Sequence, residues 1–184
     1  MMHKTDMRQD IEKVLLTEEE LAARIRELGA ELTEEYRGKD PVVIGILKGV
    51  VPFYAAMTQA MDAPMQQDFM CISSYDGTQT TGKVKIAKDL SVNIAGRHVL
   101  LLEDIVDSGL TLQEVVKILK DRGPADLKVC TLLDKPSGRK VEFTTDYTGF
   151  VIPDGFVVGF GLEYNNHYRN LPFVGILKKE VYTD

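Results

Sequence analysis

Three short runs, Val42-Val43-Ile44-Gly45-Ile46, Val99-Leu100-Leu101-Leu102 and Val129-Cys130-Thr131-Leu132-Leu133, are apolar almost without interruption. A strand with one solvated face alternates apolar and polar residues, so runs of this kind belong in a sheet covered on both sides. Thr17 and Glu20 stand at capping-box spacing, and Leu21, Ile25, Leu28 and Leu32 recur at helical intervals, which predicts a helix over residues 18–37 stopped by Gly38. Further helices are predicted over 51–61 and 111–120, and further strands over 69–72, 84–86, 156–158 and 173–177. Strands alternating with helices predict an α/β domain on a mainly parallel sheet, with an α+β arrangement as the alternative.

A length of 184 residues suits one domain. With 44% hydrophobic and 27% charged residues, disorder and coiled coil are poor descriptions. The 22 basic and 28 acidic residues leave a net charge of -6, which lacks the positive field of a nucleic-acid binder, and no basic helical face suggests a DNA-binding regulator. Cys71 and Cys130 are too isolated for a disulfide framework or thiolate metal site, and His3, His98 and His167 lack ligand spacing. Residues 1–10 contain no signal-peptide apolar stretch, and the most apolar stretch, 41–57, is interrupted by Lys48 and Pro52. No membrane partner and a cytoplasmic location are expected.

In open parallel sheets ligands bind at the carboxyl ends of strands, here after Ile46, Leu102 and Leu133. The second of these carries the strongest signal: two adjacent acids, Glu103 and Asp104, followed by Asp107-Ser108-Gly109 and a helix. Crowded carboxylates need a cation or hydroxyl groups beside them, so Glu103 and Asp104 suit sugar hydroxyls or Mg²⁺. Ser108, Gly109 and Thr111 at a helix N-terminus offer N–H groups and hydroxyls to a phosphate. Together they suggest a phosphorylated sugar; taken separately, they read as solvated acids and a helix cap. Lys135 alone reads as a surface lysine, Phe156-Val157 as a core strand pair, and Arg169 equally as a surface ion pair or an oxyanion contact. Residues 77–83 begin like a nucleotide-binding P-loop, but Val84 replaces the required Ser or Thr and Val84-Lys85-Ile86 alternates like a strand. Asp104 and Asp107 are one residue too far apart for an aspartyl phosphatase.

Residues Glu103-Asp104-Ile105-Val106-Asp107-Ser108-Gly109-Leu110-Thr111 strongly resemble the phosphoribosyl-diphosphate signature of type I phosphoribosyltransferases. Leu47-Lys48-Gly49, Ser74-Tyr75, Lys135 and Phe156-Val157-Val158-Gly159-Phe160-Gly161-Leu162-Glu163-Tyr164 with Arg169 are similar, in family order, to the hypoxanthine-guanine phosphoribosyltransferase family. The likeness extends over about residues 15–177. It implies the type I phosphoribosyltransferase fold: a mainly parallel central sheet flanked by helices, with a small hood from the chain ends. The implied division is a single domain, 1–184, with a core of about 38–155 and a hood from 1–37 and 156–184.

The implied reaction is Mg²⁺-dependent purine salvage, moving a phosphoribosyl group from phosphoribosyl diphosphate to a 6-oxopurine with release of pyrophosphate. By the same resemblance Asp107 is the general base at the attacking ring nitrogen. Phosphoribosyl diphosphate is met by Leu47, Lys48, Gly49, Ser74, Tyr75, Glu103, Asp104, Asp107, Ser108, Gly109, Leu110, Thr111 and Arg169. The purine is met by Lys135, which donates to its 6-oxo group, Phe156, which stacks on it, Val157 and Glu163. Metal ligands are Glu103, Asp104 and Glu163, the last standing where many members have Asp. The 47–49 loop matches one in which a non-proline cis peptide places N–H groups on pyrophosphate. Ser74 and Tyr75 open a polar segment matching the family's lid. The family is usually dimeric or tetrameric, so a homodimer or homotetramer is expected.

Overall fold

The computed structural model describes residues 6–74 and 84–183. A 3-10 turn (Met7–Asp10) leads into β1 (Ile11–Leu16), α1 (Glu18–Glu35), β2 (Val42–Leu47), α2 (Val51–Ala60), β3 (Gln66–Ser74), β4 (Val84–Lys88) and β5 (His98–Val106). Then follow α3 (Leu110–Lys120), β6 (Asp126–Asp134), a second 3-10 turn (Pro136–Gly138), β7 (Tyr147–Val151), β8 (Val157–Val158), β9 (Val174–Leu177) and α4 (Lys179–Tyr182). Six strands form one sheet in the order β4-β3-β2-β5-β6-β7. The pairs from β3 to β7 are parallel, and β4 joins the edge antiparallel. Strands β1, β9 and β8 make a separate antiparallel sheet from the two ends of the chain.

The apolar runs are the centre of the large sheet, covered on both faces. On one face Leu21, Ile25, Leu28 and Leu32 of α1 pack with Phe53, Tyr54 and Met57 of α2 over Val43, Leu100, Leu102 and Leu132. On the other, Leu112, Val115 and Leu119 of α3 cover Val42, Ile44, Leu101 and Val129. Successive strand residues point to opposite faces, which is why neighbours along β2 and β5 divide between the two clusters. The capping box forms as its spacing predicts: Glu20 N–H donates to Thr17 Oγ1 at 3.2 Å and Thr17 N–H to Glu20 Oε2 at 2.8 Å. Within residues 1–37, β1 belongs to the small sheet, whereas α1 packs with α2 on the large one.

Several elements differ from expectation. Strands β5 and β6 run on to Val106 and Asp134, because ladder bonds between backbones continue whatever the side chains are. Glu103 and Asp104 are therefore part of the strand rather than residues beyond its end. Strand β8 has two residues, and Phe156 lies outside it. Three elements have no counterpart in the sequence reading. Strand β1 pairs with β9 through two register shifts, which break the alternation that would reveal it. Strand β7 is a sheet edge with Gly149 at its middle, and α4, at four residues, is too short for periodicity.

Asp68, in β3, is 5% exposed and fastens the 89–94 segment to the sheet. Its carboxylate accepts from the N–H groups of Phe69, Ser91 and Val92 and from Ser91 Oγ at 2.6 to 3.0 Å. Burial on its own raises the pKa, but these donors outweigh it and hold the acid at about 2. Because the folded pKa lies below the unfolded one, the stabilisation is present above about pH 4 and lost as pH falls through about 2. It amounts to about 2 kcal/mol. Asp68→Asn places an amide donor among donors and is expected to cost about 2–3 kcal/mol at pH 7. Urea titrations of both proteins should show that gap narrowing between pH 5 and 2.5; a constant gap would contradict the assignment.

Candidate functional site

The carboxyl ends of β2, β5 and β6 open into a cleft of about 400 Å³ that the small sheet and its following loop close from the other side. Glu103, Asp104, Asp107 and Thr111 line it from β5 and the start of α3, Leu47 and Gly49 from β2, and Lys135 from β6. Phe156, Val157, Glu163 and Arg169 line it from the chain's last third. A neighbouring recess of about 240 Å³ is lined by Asp107, Ser108, Gly109 and Thr111 together with the two acids of β5. Leu110 is the first residue of α3, and Lys48 is exposed between two lining residues. Ser74 ends β3, while Tyr75, the rest of the expected lid and the P-loop-like run at 77–83 lie outside the described residues.

The two acids are held without full compensation. Glu103 Oε2 is buried and, among the described residues, meets no hydrogen-bond donor. Burial, with the Asp104 charge beside it, pushes the Glu103 carboxyl well above its usual range. Burial likewise raises Asp104 to about 6, against the pull of nearby backbone N–H groups and the Arg169 charge. Ile105 N–H donates to Asp104 Oδ1 at 2.9 Å. Two hard oxygen donors, one of them orphaned, fit a divalent cation such as Mg²⁺. Among the described residues no group of three His, Cys, Asp or Glu side chains completes a cage, so its other ligands would be water or substrate oxygens.

Across the cleft Lys135 Nζ stands 2.8 Å from Asp107 Oδ2. The lysine side chain is 13% exposed and the carboxylate 49%, so the pair presents a cation and an acceptor side by side at the mouth. Room for this carboxylate depends on Gly138, where a side chain would strike Asp107 Oδ1. Phe156, 38% exposed, stacks on Tyr182 of α4 with ring centroids 4.8 Å apart, and it also borders the cleft. Ile105 and Leu162 add apolar lining.

Close backbone contact joins the two sides. The Leu47–Lys48 peptide is cis. A side chain on Gly49 would run into the Asp104 carboxylate, and one on Gly161 into Gly49 O. Gly161 also has φ +102°, a conformation other residues rarely adopt. Arg169 Nη1 donates to Gly161 O at 2.8 Å, Gly161 N–H donates to Arg169 O at 3.0 Å, and Arg169 Nη2 lies 3.5 Å from Glu163 Oε1. Glu163 Oε2 accepts from Asn166 N–H, so both oxygens of this acid have partners within the chain.

The sequence reading assigned no role to Gly138, Arg139, Gly161, Ile105 or Leu162. Gly161 had a signal in the pattern Gly159-Phe160-Gly161, where two glycines one residue apart mark unusual backbone. Gly138 and Arg139 sit in the charged run 134–140, and nothing in their spacing points to a neighbour thirty residues earlier.

Residues 13–165 match the model of the phosphoribosyl transferase domain family. The bifunctional protein TilS/HprT of Listeria monocytogenes is 52% identical over 179 residues, 97% of this chain, which spans only 28% of that longer protein. The hypoxanthine-guanine phosphoribosyltransferase of Bacillus subtilis is 51% identical over 177 residues, covering 96% of this chain and 98% of that one. A crystal structure of a hypoxanthine phosphoribosyltransferase from Staphylococcus aureus superposes with a TM-score of 0.95 at 45% identity, over 100% of both chains. These matches run over nearly the whole chain, and the chain belongs to the hypoxanthine-guanine phosphoribosyltransferase family.

Proposed function

We propose that this chain transfers the 5-phosphoribosyl group of phosphoribosyl diphosphate to hypoxanthine or guanine, giving the nucleoside monophosphate and pyrophosphate. The observation that carries the reading is the Lys135–Asp107 pair, a donor and an acceptor 2.8 Å apart at the edge of a cleft that also holds two half-buried acids. A 6-oxopurine offers the complement on one edge, an oxo acceptor beside a ring N–H. Adenine carries an amino donor in place of the oxo group, which would face the Lys135 ammonium with no acceptor between them.

Each residue then has a task. Asp107 takes the ring proton as the nitrogen attacks, which requires that Lys135 release its carboxylate to the base. Phe156 covers one face of the purine, and Val157 meets its edge through the backbone. Ser108, Gly109, Leu110 and Thr111 bind the 5′-phosphate at the start of α3. Arg169 and the 47–49 loop, including Lys48, receive the pyrophosphate. Glu103 and Asp104 hold the ribose hydroxyls and Mg²⁺, which when bound neutralises charge on the departing diphosphate. Their negative charge also favours a sugar carbon that becomes cationic. Glu163 borders the base and would take a metal only by leaving Arg169 and Asn166.

The small sheet, built from β1, β8 and β9, serves as the hood of a single domain, while α1 belongs with the core rather than with the hood. Val51, 48% exposed at the start of α2 beside the 47–49 loop, supports reading that face as the contact of a homodimer or homotetramer. No helix among the described residues is long and apolar enough to cross a membrane.

Pyrophosphate release from phosphoribosyl diphosphate is expected with hypoxanthine or guanine, not with adenine, and is expected to stop when EDTA removes Mg²⁺. Release with adenine alone would overturn the base assignment, and release with no base would overturn the reaction. Lys135→Ala should lower kcat/KM for hypoxanthine on the order of a hundredfold, since the oxo group loses its donor. The KM for phosphoribosyl diphosphate should stay within about threefold. Unchanged kinetics would remove Lys135 from the base site.

A further inference from the structure

Three consecutive carbonyls ahead of α3 are taken by one segment. Lys135 N–H donates to Val106 O at 3.0 Å and Lys140 N–H to Ser108 O at 2.9 Å. Between them the Arg139 guanidinium donates through Nη1 to Asp107 O at 2.8 Å. Its Nη2 is ion-paired with Asp134, the last residue of β6. A planar trans peptide points its C=O and N–H in opposite directions. Drawing these carbonyls toward 135–140 therefore turns the N–H groups of Asp107, Ser108 and Gly109 the other way, toward the recess that those residues line.

Two of the three fastenings come from backbone N–H groups and hardly depend on which residues supply them. The middle one depends on a side chain. We propose that Arg139 is a positioning residue for the recess, holding the Asp107–Ser108 peptide so that its N–H faces a bound phosphoryl group. The proposal rests on the phosphoribosyl-transfer reading only for the ligand's identity as a sugar 5-phosphate.

The chemistry suits an arginine. Its fork reaches two acceptors at once, the Asp134 carboxylate on one strand end and Asp107 O on the loop, where a lysine ammonium would reach one of them well. A charged donor on a carbonyl also polarises that peptide and strengthens its N–H toward an anion. The side chain as a whole is 17% exposed, with its bond to Asp107 O at the exposed rim of the recess. Its stem lies close to Gly109, where a side chain would crowd Arg139 Cδ at 3.3 Å. The Asp107 carboxylate is held separately, by Lys135 Nζ. Loss of Arg139 should therefore weaken the phosphate grip more than the base edge.

The test compares wild type, Arg139→Met and Arg139→Lys for binding of ribose 5-phosphate by calorimetry, and for KM toward phosphoribosyl diphosphate and hypoxanthine. Arg139→Met is expected to raise the ribose 5-phosphate Kd and the phosphoribosyl diphosphate KM about tenfold or more. Its hypoxanthine KM should change by less than about threefold, and Arg139→Lys should recover part of the loss. If Arg139→Met does not fold, Asp134→Asn, which releases the guanidinium from its anchor, should raise the same Kd about threefold. Wild-type ribose 5-phosphate affinity in a folded variant would overturn the proposal, as would equal losses toward both substrates. A wild type that binds ribose 5-phosphate but releases no pyrophosphate would overturn the reaction reading, while an Arg139→Met loss in that same binding assay would still support the positioning role.

Discussion

Two adjacent carboxylates at the end of a central, fully covered strand set the conditions for everything around them. Leu100, Leu101 and Leu102 are completely buried, and β2 and β6 flank β5 on either side, so the strand carries Glu103 and Asp104 into a place where water is scarce. Ionised acids in such a place are costly unless something meets them. The chain supplies little: Glu103 Oε2 has no partner among the described residues, and Asp104 is relieved by nearby backbone N–H groups and the distant pull of Arg169. What remains unmet is matched by a ligand that brings hydroxyl groups and a cation together. The unmet oxygen of Glu103 and the half-buried Asp104 thus stand at the cleft, where a ligand can meet them.

That arrangement works only if the two sides of the cleft keep their distance, and glycines determine it. Gly49 lies against the Asp104 carboxylate, Gly161 lies against Gly49 O, and Arg169 is bonded in both directions to Gly161. An added carbon at Gly49 would displace the Asp104 carboxylate, and one at Gly161 would push the small sheet's loop away from the 47–49 loop. Arg169 would move with it, and the guanidinium charge that tempers Asp104 would recede. Backbone-to-backbone contact of this kind is stiffer than side-chain packing, because no rotamer change can absorb a displacement.

The large sheet was readable from sequence because its central strands are buried on both faces and so have an uninterrupted apolar signal. The acids and the phosphate-binding turn were readable because Glu103 to Thr111 is one continuous stretch. What could not be read depends on contacts between distant segments. Strand β1 has its pattern broken by register shifts, and β7 is a glycine-containing edge whose place comes from pairing with β6. Lys135 alone was indistinguishable from a surface lysine, and only its 2.8 Å approach to Asp107 separates the two descriptions. Arg139 was invisible for the same reason, since its partner is a carbonyl, and carbonyls leave no trace in a sequence.

A chain with a net charge of -6 that places half-buried acids in its cleft is an unexpected host for the anionic substrate proposed for it. Net charge acts at long range and is screened within about 10 Å at ordinary ionic strength, so local groups decide the matter. Those groups are arranged by position rather than by number. Arg169 is bonded to Gly161 and paired with Glu163, Lys135 is held by Asp107, and Arg139 is neutralised by Asp134 while it directs a peptide toward the recess. All three cations are thus paired with acids of the chain itself, Arg169 with Glu163, so none adds a free charge to the cleft. At the recess, therefore, the attraction for a phosphate comes from oriented N–H dipoles at the start of α3, which keep their direction at any ionic strength. The carboxyl groups of β5 put hard oxygen donors into the cleft that Lys135 and Arg169 also line, a set that suits a cation.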